Sequence, residues 1–543
     1  MKVNFKRVAT AALAVAMSLS LNVSALAAGN GGNRTLTVKG DTLDNKNVYA
    51  VQMFTARATG TDSVVFDNYE LADDNWLDFF RAPIAEGGLN KPDANADAAR
   101  EYVEELEGDN LVDFADKAQA WVRKHSTEFV VIVSDSEESP VADQAKFTEL
   151  QAGYYLVYPE GGSTSISRDT DAMLVNVPQD NNAVWNIKST FPTVDKKVDT
   201  DNEDTGAATD NGSAQVGDTV TFTLTSKVPD MTDYETFYFA FNDTLSNGLE
   251  FVKAADDVAV TDVTVTIGEQ SVTEGYTVSL TGNELSVVFN DLKSVDGADV
   301  GDEIVVTYQA MITEAAATTN PVTNTVEVEY SNDPNNTTHG TSTPDITKVY
   351  TYDINVNKWA AGPDGQKDTD DDIANLPGAK FVLSTSKTLT DGENDASVIK
   401  LINTDSGTGN AYRVAKPGEE SAMTSFITTN SGDITISGLE GSTEPGTTYY
   451  LHEIEAPDGY NKLKAPVEIV IKITDMDTGD ATITVNGVGA TGIEGNVIDV
   501  ENKKGIELPE TGSIGTIGLT ALGVVVVVAG LFAFPRKKKT RQD

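Results

Sequence analysis

The chain has 543 residues, no cysteine and a formal net charge of −45 at pH 7, with 84 acidic against 39 basic residues. The missing cysteine excludes disulfides and thiol catalysis, and the negative charge argues against binding to nucleic acid or anionic lipid. The three histidines, His125, His339 and His452, lie far apart in the sequence, which argues against catalytic zinc. The length predicts about three domains of roughly 150 residues each.

Residues 1–27 are predicted to be a secretory signal peptide. Basic residues precede an apolar run over 8–21, and Ala25-Leu26-Ala27 offers the small side chains that signal peptidase requires. The mature protein is therefore expected to begin near Ala28 and to lie outside the cytoplasm.

Residues 28–191 mix strand and helix patterns, which predicts an α+β N-terminal domain with a strand-rich core. Apolar residues recur at helical spacing from Asp93 to Lys124, with a break at Gly108-Asp109-Asn110. Strands are predicted at 35–53, 129–133 and 153–158.

From Val194 onward, apolar and polar residues alternate and helical spacing is almost absent. Residues 192–348 are predicted to form a β-sandwich, because short period-2 strands are separated by turns rich in Gly, Asn and Asp. Its predicted strands are 219–224, 263–267, 285–289, 304–308 and 322–330. After a polar stretch at 332–344, residues 349–505 are predicted to form a second β-sandwich, with strands at 354–358, 379–383, 449–451, 467–473 and 497–502.

The second sandwich contains a motif with a family resemblance. Tyr449–Tyr460 (YYLHEIEAPDGY) resembles the E-box of Cna-B-type domains in pilins and adhesins, and Leu376–Phe381 (LPGAKF) is similar to the second strand of that family. Ile454 stands where the family usually has Thr. The resemblance implies an intramolecular isopeptide bond between Lys358 and Asn502, with Glu453 as the proton shuttle.

Strand alternation supports this implied bond. Lys358 is expected to lie on the same face of its strand as Ile354 and Val356. Asn502 is expected to lie on the same face as Ile498 and Val500. Both side chains are therefore expected to point inward. Burial lowers the pKa of a lysine and raises that of a glutamate, which yields a neutral nucleophile beside a neutral acid. A buried Lys–Glu ion pair with an unrelated Asn nearby is the alternative.

The first sandwich resembles the fimbrial isopeptide-forming domain that precedes the Cna-B domain in backbone pilins. The matching segments are 194–198, 242–245, 248–251 and 324–330. The resemblance implies a bond between Lys196 and Asn324, with Asp243 as the proton shuttle. Lys196 alternates with Val194 and Val198, which places it inward; a surface lysine with a turn aspartate is the alternative.

The C-terminal segment, 506–543, has three parts in a fixed order. Leu508-Pro509-Glu510-Thr511-Gly512 precedes an apolar run over 514–534, and a basic tail follows. About 20 apolar residues span a bilayer as a helix, with the cationic tail on the cytoplasmic side. This order resembles the cell-wall sorting signal of Gram-positive surface proteins, which implies sortase cleavage between Thr511 and Gly512 and transfer of Thr511 to an amine. A plain transmembrane anchor would explain the helix but not the pentapeptide.

Taken together, the chain resembles a sortase-assembled major pilin of Gram-positive bacteria. The expected fold is mainly β, with tandem immunoglobulin-like, Cna-type β-sandwiches after the α+β domain.

In such pilins a lysine near the end of the first domain accepts the threonine of the next subunit, within a Tyr-Pro-Lys motif. This chain has Phe191-Pro192-Thr193 there, so Lys188, just after Trp185, is the preferred acceptor. Lys197 is the alternative, and Lys188 is otherwise an ordinary exposed lysine.

The predicted function is that of a shaft subunit in a covalently polymerised surface pilus that supports adhesion. Its expected partners are sortase, other copies of itself, peptidoglycan, minor pilins and a host surface ligand, with no nucleic acid. Apart from autocatalytic bond formation we expect no enzyme activity, no cofactor and no metal, although the acidic loop 364–372 could hold Ca²⁺. The alternatives are a non-polymerised wall-anchored adhesin, a basal or tip pilin, and a surface hydrolase; the last lacks a G-x-S-x-G nucleophile motif.

Overall fold

The computed structural model describes residues 34–504, except 41–42, 44–45, 60–64, 136–142, 162–171, 178–182, 187–190, 201–207, 254–262, 335–336, 363–371, 431–432, 487–489 and 495–496. The predicted signal peptide, Lys188 and the C-terminal segment 506–543 therefore lie outside the described residues. Within the described part of the chain, no helix is long and apolar enough to cross a membrane.

The chain divides into two compact units. The first comprises the described residues of Met1–Pro192 with Pro229–Glu235 and Tyr330–Ser342, and the second comprises the remainder. The polar stretch at 332–344 is thus mostly part of the first unit, since Tyr330–Ser342 clusters there rather than with the sandwiches.

The described residues of the first part of the chain form strands and three α-helices, as its mixed pattern predicts. A three-stranded sheet has the order β5-β1-β8, and a second has the order β3-β2-β6-β7 with β4 paired to β2. The elements are β1 (Arg34–Lys39), β2 (Val48–Thr59), β3 (Val65–Leu71), α1 (Asn75–Arg81), α2 (Ala96–Glu104), α3 (Asp109–Lys124), β4 (Val131–Val133), β5 (Gln144–Leu150), β6 (Gly153–Pro159), β7 (Met173–Val177) and β8 (Ala183–Asn186).

Two helices lie in the region of predicted helical periodicity, and the chain breaks between them. The Asn95 side chain accepts a hydrogen bond from the Ala98 N–H at 2.9 Å and so caps α2. Gly108, at φ +54°, occupies the left-handed region just before α3. The helices pack on the sheet through a buried aromatic cluster that includes Trp76, Phe79, Phe80, Phe114 and Trp121. Helix α1, which supplies the first three of these rings, was not predicted.

The middle of the chain folds into two sheets of alternating strands. Their orders are β15-β14-β18-β11-β9, with β13 paired to β18, and β10-β21-β19-β12-β17-β16, with β20 paired to β19. The strands are β9 (Asp195–Asp199), β10 (Asn211–Ser213), β11 (Thr219–Lys227), β12 (Phe239–Leu245), β13 (Leu249–Phe251), β14 (Thr264–Ile267), β15 (Gln270–Val272), β16 (Thr277–Thr281), β17 (Glu284–Phe289), β18 (Glu303–Ile312), β19 (Val322–Ser331), β20 (His339–Thr341) and β21 (Asp345–Tyr350).

Strand β21 is held on several sides. It pairs antiparallel with β19 and parallel with β10. The Lys348 ammonium and the Tyr350 hydroxyl also donate to the backbone carbonyl of Asp477, at 3.0 and 2.8 Å. Asp477 belongs to a hairpin of the C-terminal sandwich, so β21 connects the two sandwiches of the second unit.

The C-terminal sandwich has sheet orders β24-β25-β27-β22-β32-β31 and β26-β23-β28-β29-β30. Its strands are β22 (Tyr352–Trp359), β23 (Lys380–Ser384), β24 (Leu401–Asn403), β25 (Ala411–Val414), β26 (Phe426–Ile427), β27 (Ile434–Leu439), β28 (Thr447–Glu455), β29 (Val467–Asp475), β30 (Asp480–Asn486), β31 (Ala490–Glu494) and β32 (Val497–Glu501). Short 3₁₀ segments occur at Ile84–Glu86, Leu292–Ser294, Glu314–Ala317 and Gly392–Asn394. The prediction of a mainly β fold with tandem sandwiches is confirmed.

Candidate functional site

The Lys358 cluster (Lys358, Glu453 and Asn502) lies inside the C-terminal sandwich. Strands β22 and β32 are adjacent and parallel, with Lys358 opposite Val500, and the Lys358 ammonium donates to the Val500 carbonyl at 2.9 Å. Asn502 follows β32, and its N–H donates to the Trp359 carbonyl at 3.0 Å. Glu453 reaches the same place from β28 in the other sheet. All three predicted side chains are buried, with relative exposures of 2%, 4% and 1%.

Hydrogen bonds fix the acid and the amide of this cluster. The Asn502 side-chain nitrogen donates to Glu453 Oε2 at 3.0 Å and to the Asn461 carbonyl at 2.7 Å. The Leu463 N–H donates to the same Glu453 oxygen at 2.7 Å. The acid is therefore in direct contact with the nitrogen that would leave as ammonia if Lys358 attacked the amide.

The Lys358 amine is poised to act as a nucleophile. Burial lowers the pKa of Lys358 from 10.5 to about 8, against the opposing charges of Glu453 and Glu501. At pH 7 about one Lys358 amine in ten would then be neutral, against about one in three thousand for an exposed lysine. Since only the neutral amine has a free lone pair, the folded core itself activates the nucleophile.

This lowered pKa predicts how fast the Lys358–Asn502 bond forms. If Glu453 keeps one protonation state over this range, the rate should rise about tenfold per pH unit up to about pH 8 and then level off, because the neutral fraction of the amine follows that course. Chain purified unfolded from inclusion bodies can be diluted into folding buffers of fixed pH, and the crosslinked peptide quantified over time by mass spectrometry. A rate that does not change between about pH 6 and pH 8 would show that the amine and the acid react together as a neutral pair, and a rate that falls over this range would contradict the assignment of Lys358 as the nucleophile.

The Lys196 cluster (Lys196, Asp243 and Asn324) lies between the two sheets of the middle sandwich. Lys196 comes from β9, whereas Asp243 and Asn324 come from β12 and β19, which are neighbours in the facing sheet. The Lys196 ammonium donates a hydrogen bond to Asp243 Oδ2. The exposures are 0%, 1% and 0%, so a surface lysine with a turn aspartate is excluded.

Burial pushes both charged groups of the Lys196 cluster toward their neutral forms. It lowers the pKa of Lys196 and raises the pKa of Asp243, and in each case it is the largest influence, opposed by the charge of the partner. A neutral amine beside a neutral carboxyl is the state from which the amine can attack an amide and the acid can move protons.

Tyr308 is a member of the Lys196 cluster that the sequence analysis missed. Its hydroxyl donates to Asp243 Oδ1 at 2.7 Å and accepts from Asn324 Nδ2 at 2.5 Å. Burial raises the pKa of Tyr308 well above its usual value. The signal in the sequence was its parity with Ile304 and Val306, which points the ring into the core, where a tyrosine hydroxyl needs a partner.

Asn324 does not lie on the last strand of its sandwich, although the segment 324–330 is the last of those that carry the family resemblance. β19 is followed by β20 and then by β21, which pairs with β19. A bond from Lys196 to Asn324 would thus join β9 to β19, which is not the last strand of the sandwich. The polar stretch after β19 leads back to the same sheet, where β21 pairs with β19. In the C-terminal sandwich Asn502 was predicted to lie on the last strand, and it lies one residue beyond the end of that strand.

Each of these two clusters contains buried polar atoms without a hydrogen-bond partner. Among the described residues, these atoms include Asn324 Oδ1, Glu453 Oε1 and Asn502 Oδ1. Such a group costs about 1–3 kcal/mol. An amide oxygen without a partner and an acid with a free oxygen are suited to a reaction at the amide carbon, which would change both groups.

A third buried lysine–carboxylate pair, Lys46 and Glu160, lies in the first unit. Lys46 Nζ is 3.8 Å from Glu160 Oε1 and lies 4.7 Å from the centre of the Tyr330 ring. Burial lowers the pKa of Lys46 to about 8 and raises the pKa of Glu160. Lys46 precedes β2 rather than lying within a strand, so alternation gave no indication of its burial.

Of the two candidate acceptor lysines, only Lys197 lies among the described residues. Its ammonium donates to Asp195 and Asp210, which raise the pKa of Lys197 to about 12. An ammonium held in that state is a poor nucleophile. The preferred acceptor Lys188 and the sorting motif Leu508–Gly512 fall outside the described residues.

Metal binding finds no support in the part of the chain that can be described. Within the described ranges, no group of three or more His, Asp or Glu side chains is placed to hold a metal ion. The acidic loop 364–372 falls almost entirely outside those ranges. Asp372 accepts a hydrogen bond from the Gly362 N–H at 3.0 Å.

Family models match two segments of the chain. Residues 365–487 match the SpaA model, described as a prealbumin-like fold domain, and residues 500–540 match the LPXTG cell wall anchor motif. The first match contains Glu453 but ends before Asn502 and begins after Lys358. A search of curated proteins finds no match.

Several solved structures of major pilins are similar to the chain. SpaD of Corynebacterium diphtheriae has a TM-score of 0.39 and 17% identity, covering 88% of this chain and 98% of its own. SpaA of the same organism has a TM-score of 0.43 and 15% identity, covering 87% and 100%. The T6 backbone pilin of Streptococcus pyogenes has a TM-score of 0.42 and 15% identity, covering 88% and 100%.

The segment matches fall in the two regions where the sequence analysis noted its most specific motifs, the E-box and the sorting pentapeptide. The chain is therefore a cell wall-anchored protein in which a segment that matches the SpaA prealbumin-like domain is followed by one that matches the LPXTG anchor motif.

Proposed function

We propose that the protein is the shaft subunit of a covalently polymerised surface pilus, in which each subunit is strengthened by two internal isopeptide bonds. The observation that carries the proposal is that a buried lysine, acid and asparagine meet in each of two tandem sandwiches ahead of an LPXTG anchor. Burying a charged lysine or carboxylate costs free energy unless the group is paired and hydrogen-bonded. Crosslinked domains in series suit a fibre that supports adhesion better than a catalyst of other reactions.

Each proposed bond would convert a buried lysine amine and a buried asparagine amide into one secondary amide. In each cluster the neutral lysine attacks the side-chain carbon of the asparagine, the acid transfers protons, and ammonia leaves. Proximity and a dry site supply much of the rate, since the reacting groups are already held by the fold. Disulfides cannot serve this role because the chain has no cysteine.

Polymerisation is proposed to join Thr511 of one subunit to Lys188 of the next through sortase. The environment of Lys197 favours this assignment, since two aspartates keep its ammonium protonated. The proposed partners are sortase, further copies of the chain and peptidoglycan, with minor pilins and a host surface ligand beyond them.

The proposal is tested by immunoblotting cell-wall extracts boiled in SDS, because covalent polymers survive boiling. A ladder of high-mass species is expected for a shaft subunit. A single band at the mass of the monomer would instead support a non-polymerised wall-anchored adhesin built from the same sandwiches. Deleting the sortase gene in the same strain provides the control, since its loss should collapse the ladder.

A further inference from the structure

The Tyr308 hydroxyl lies within reach of all three groups of the Lys196 cluster. It is 2.7 Å from Asp243 Oδ1, 2.5 Å from Asn324 Nδ2 and 3.4 Å from Lys196 Nζ. The side chain is 1% exposed, and its ring packs against two phenylalanine rings of the same core. Packing therefore fixes the hydroxyl between the acid and the nitrogen that would leave as ammonia.

In the Lys358 cluster the acid and the nitrogen that would leave are connected differently. There Glu453 Oε2 contacts Asn502 Nδ2 directly, at 3.0 Å. Asp243 is shorter than a glutamate by one methylene, and the hydrogen bond of Asn324 Nδ2 goes to Tyr308 instead. Contact with the Asn324 amide also lowers the pKa of Asp243, by less than contact with Lys196 or Tyr308 does. In the Lys196 cluster a tyrosine hydroxyl therefore contacts both the acid and the nitrogen that would leave.

We infer that Tyr308 is a catalytic residue of the Lys196 cluster, which relays a proton from Asp243 to the departing nitrogen of Asn324. The inference rests on the proposed formation of a Lys196–Asn324 bond. A hydroxyl suits the relay because it can accept one hydrogen bond while it donates another.

Every proton that moves in the reaction of Lys196 with Asn324 has a donor and an acceptor within the cluster. The reaction begins with a neutral Lys196 amine and a neutral Asp243 that carries its proton on Oδ1, so the Tyr308 hydroxyl turns to accept a hydrogen bond from that oxygen and to point its own proton toward Nδ2. Lys196 Nζ attacks Cγ of Asn324, and the carbonyl π electrons move to the amide oxygen. In this tetrahedral intermediate Nδ2 is no longer conjugated with a carbonyl, so it gains a lone pair that can accept a proton.

Collapse of the intermediate uses both oxygens of Asp243. The carbonyl re-forms and the bond from Cγ to Nδ2 breaks, while Nδ2 takes the proton of the Tyr308 hydroxyl. Tyr308 takes the proton from Asp243 Oδ1, and Lys196 Nζ gives one proton to Asp243 Oδ2, with which it already makes a hydrogen bond. Asp243 and Tyr308 end neutral, and the products are a secondary amide and ammonia.

The test is Tyr308→Phe in the full-length chain, which removes the hydroxyl and keeps the ring. Unfolded chain is diluted into folding buffer, and the Lys196–Asn324 and Lys358–Asn502 crosslinked peptides are quantified over time. The Lys196–Asn324 bond should form roughly a hundredfold more slowly, which is the usual contribution of a positioned proton-transfer group. The Lys358–Asn502 bond in the same molecule should keep its wild-type rate and so serves as the internal control.

The outcomes separate the relay from the proposed function. If the wild-type chain forms no Lys196–Asn324 bond, the proposed crosslink fails; if Tyr308→Phe forms it at the wild-type rate, the relay alone is overturned. A fluorinated tyrosine at position 308 covers the case in which Tyr308→Phe does not fold, because it keeps the shape and changes only the acidity of the hydroxyl. A rate that follows that acidity supports the relay, and a rate that ignores it overturns the relay.

Discussion

The Asp243→Ala/Glu453→Ala double variant is expected to fold without forming either internal bond. Its intact mass should equal the mass calculated from its own sequence, whereas the wild-type ectodomain should fall short of its sequence mass by two ammonia molecules and each single variant by one. Alanine removes the group that moves protons in each cluster and leaves the lysine and asparagine in place. Mass spectrometry of the purified ectodomain measures the difference directly.

The loss of both bonds should also have a large effect on stability. Each bond would close a loop of more than 100 residues, and in the chain-entropy model such a crosslink contributes roughly 4–5 kcal/mol. The midpoint of thermal unfolding should therefore fall by about 10 °C or more. Limited trypsin digestion should leave the region from about Val194 to Asn502 largely intact in the wild type, with or without added thiol, and degrade it in the double variant.

A matched pair of variants separates the bonds from the packing. Asp243→Asn and Glu453→Gln keep the shape of each acid but cannot transfer its proton, so they should also stay unbonded and lose the same resistance. If the double alanine variant resisted trypsin as well as the wild type, packing alone would stabilise the sandwiches. A wild-type mass equal to that of the unmodified sequence would remove both bonds from consideration.

Lys188→Arg is expected to abolish the ladder of covalent polymers while leaving a folded, wall-anchored monomer. Arginine keeps the positive charge and most of the side-chain length, but its guanidinium stays protonated and is a poor nucleophile. Immunoblots of boiled wall extracts should then show a single species where the wild type shows a ladder.

Lys197→Arg is the control for this experiment. The ammonium of Lys197 is already held by Asp195 and Asp210, so its replacement should leave the ladder unchanged. If the ladder instead persisted in Lys188→Arg and vanished in Lys197→Arg, the acceptor would lie beyond Pro192, and the local departure from Tyr-Pro-Lys would have been aligned wrongly.

The alternation of strands made much of the candidate site predictable. Side chains two residues apart on a strand share a face, so Lys196 and Lys358 could be placed inward from their apolar neighbours alone. Which asparagine and which acid each lysine meets depends on the pairing of distant strands, and the family resemblance supplied that information.

Three features could not be predicted from the sequence, and each has a physical reason: helix α1, the contact of Tyr308 with Asp243 and the burial of Lys46. Helix α1 is only seven residues long, too short for helical periodicity to distinguish it from a strand. The contact of Tyr308 with Asp243 joins facing sheets, and alternation shows that a side chain points inward but not what it meets there. Lys46 lies outside the strands, where alternation has no meaning.

The placement of β21 determines which part of the protein would bear mechanical tension. With both bonds formed, force entering near Lys196 would cross to Asn324 and later from Lys358 to Asn502, bypassing most of each sandwich. The chain between Asn324 and Lys358 would have no such bypass. Its resistance to extension would come from the pairing of β21 with β19 and β10 and from the contacts of Lys348 and Tyr350 with the hairpin at Asp477. The junction between the sandwiches, rather than either core, would then be the first place to yield.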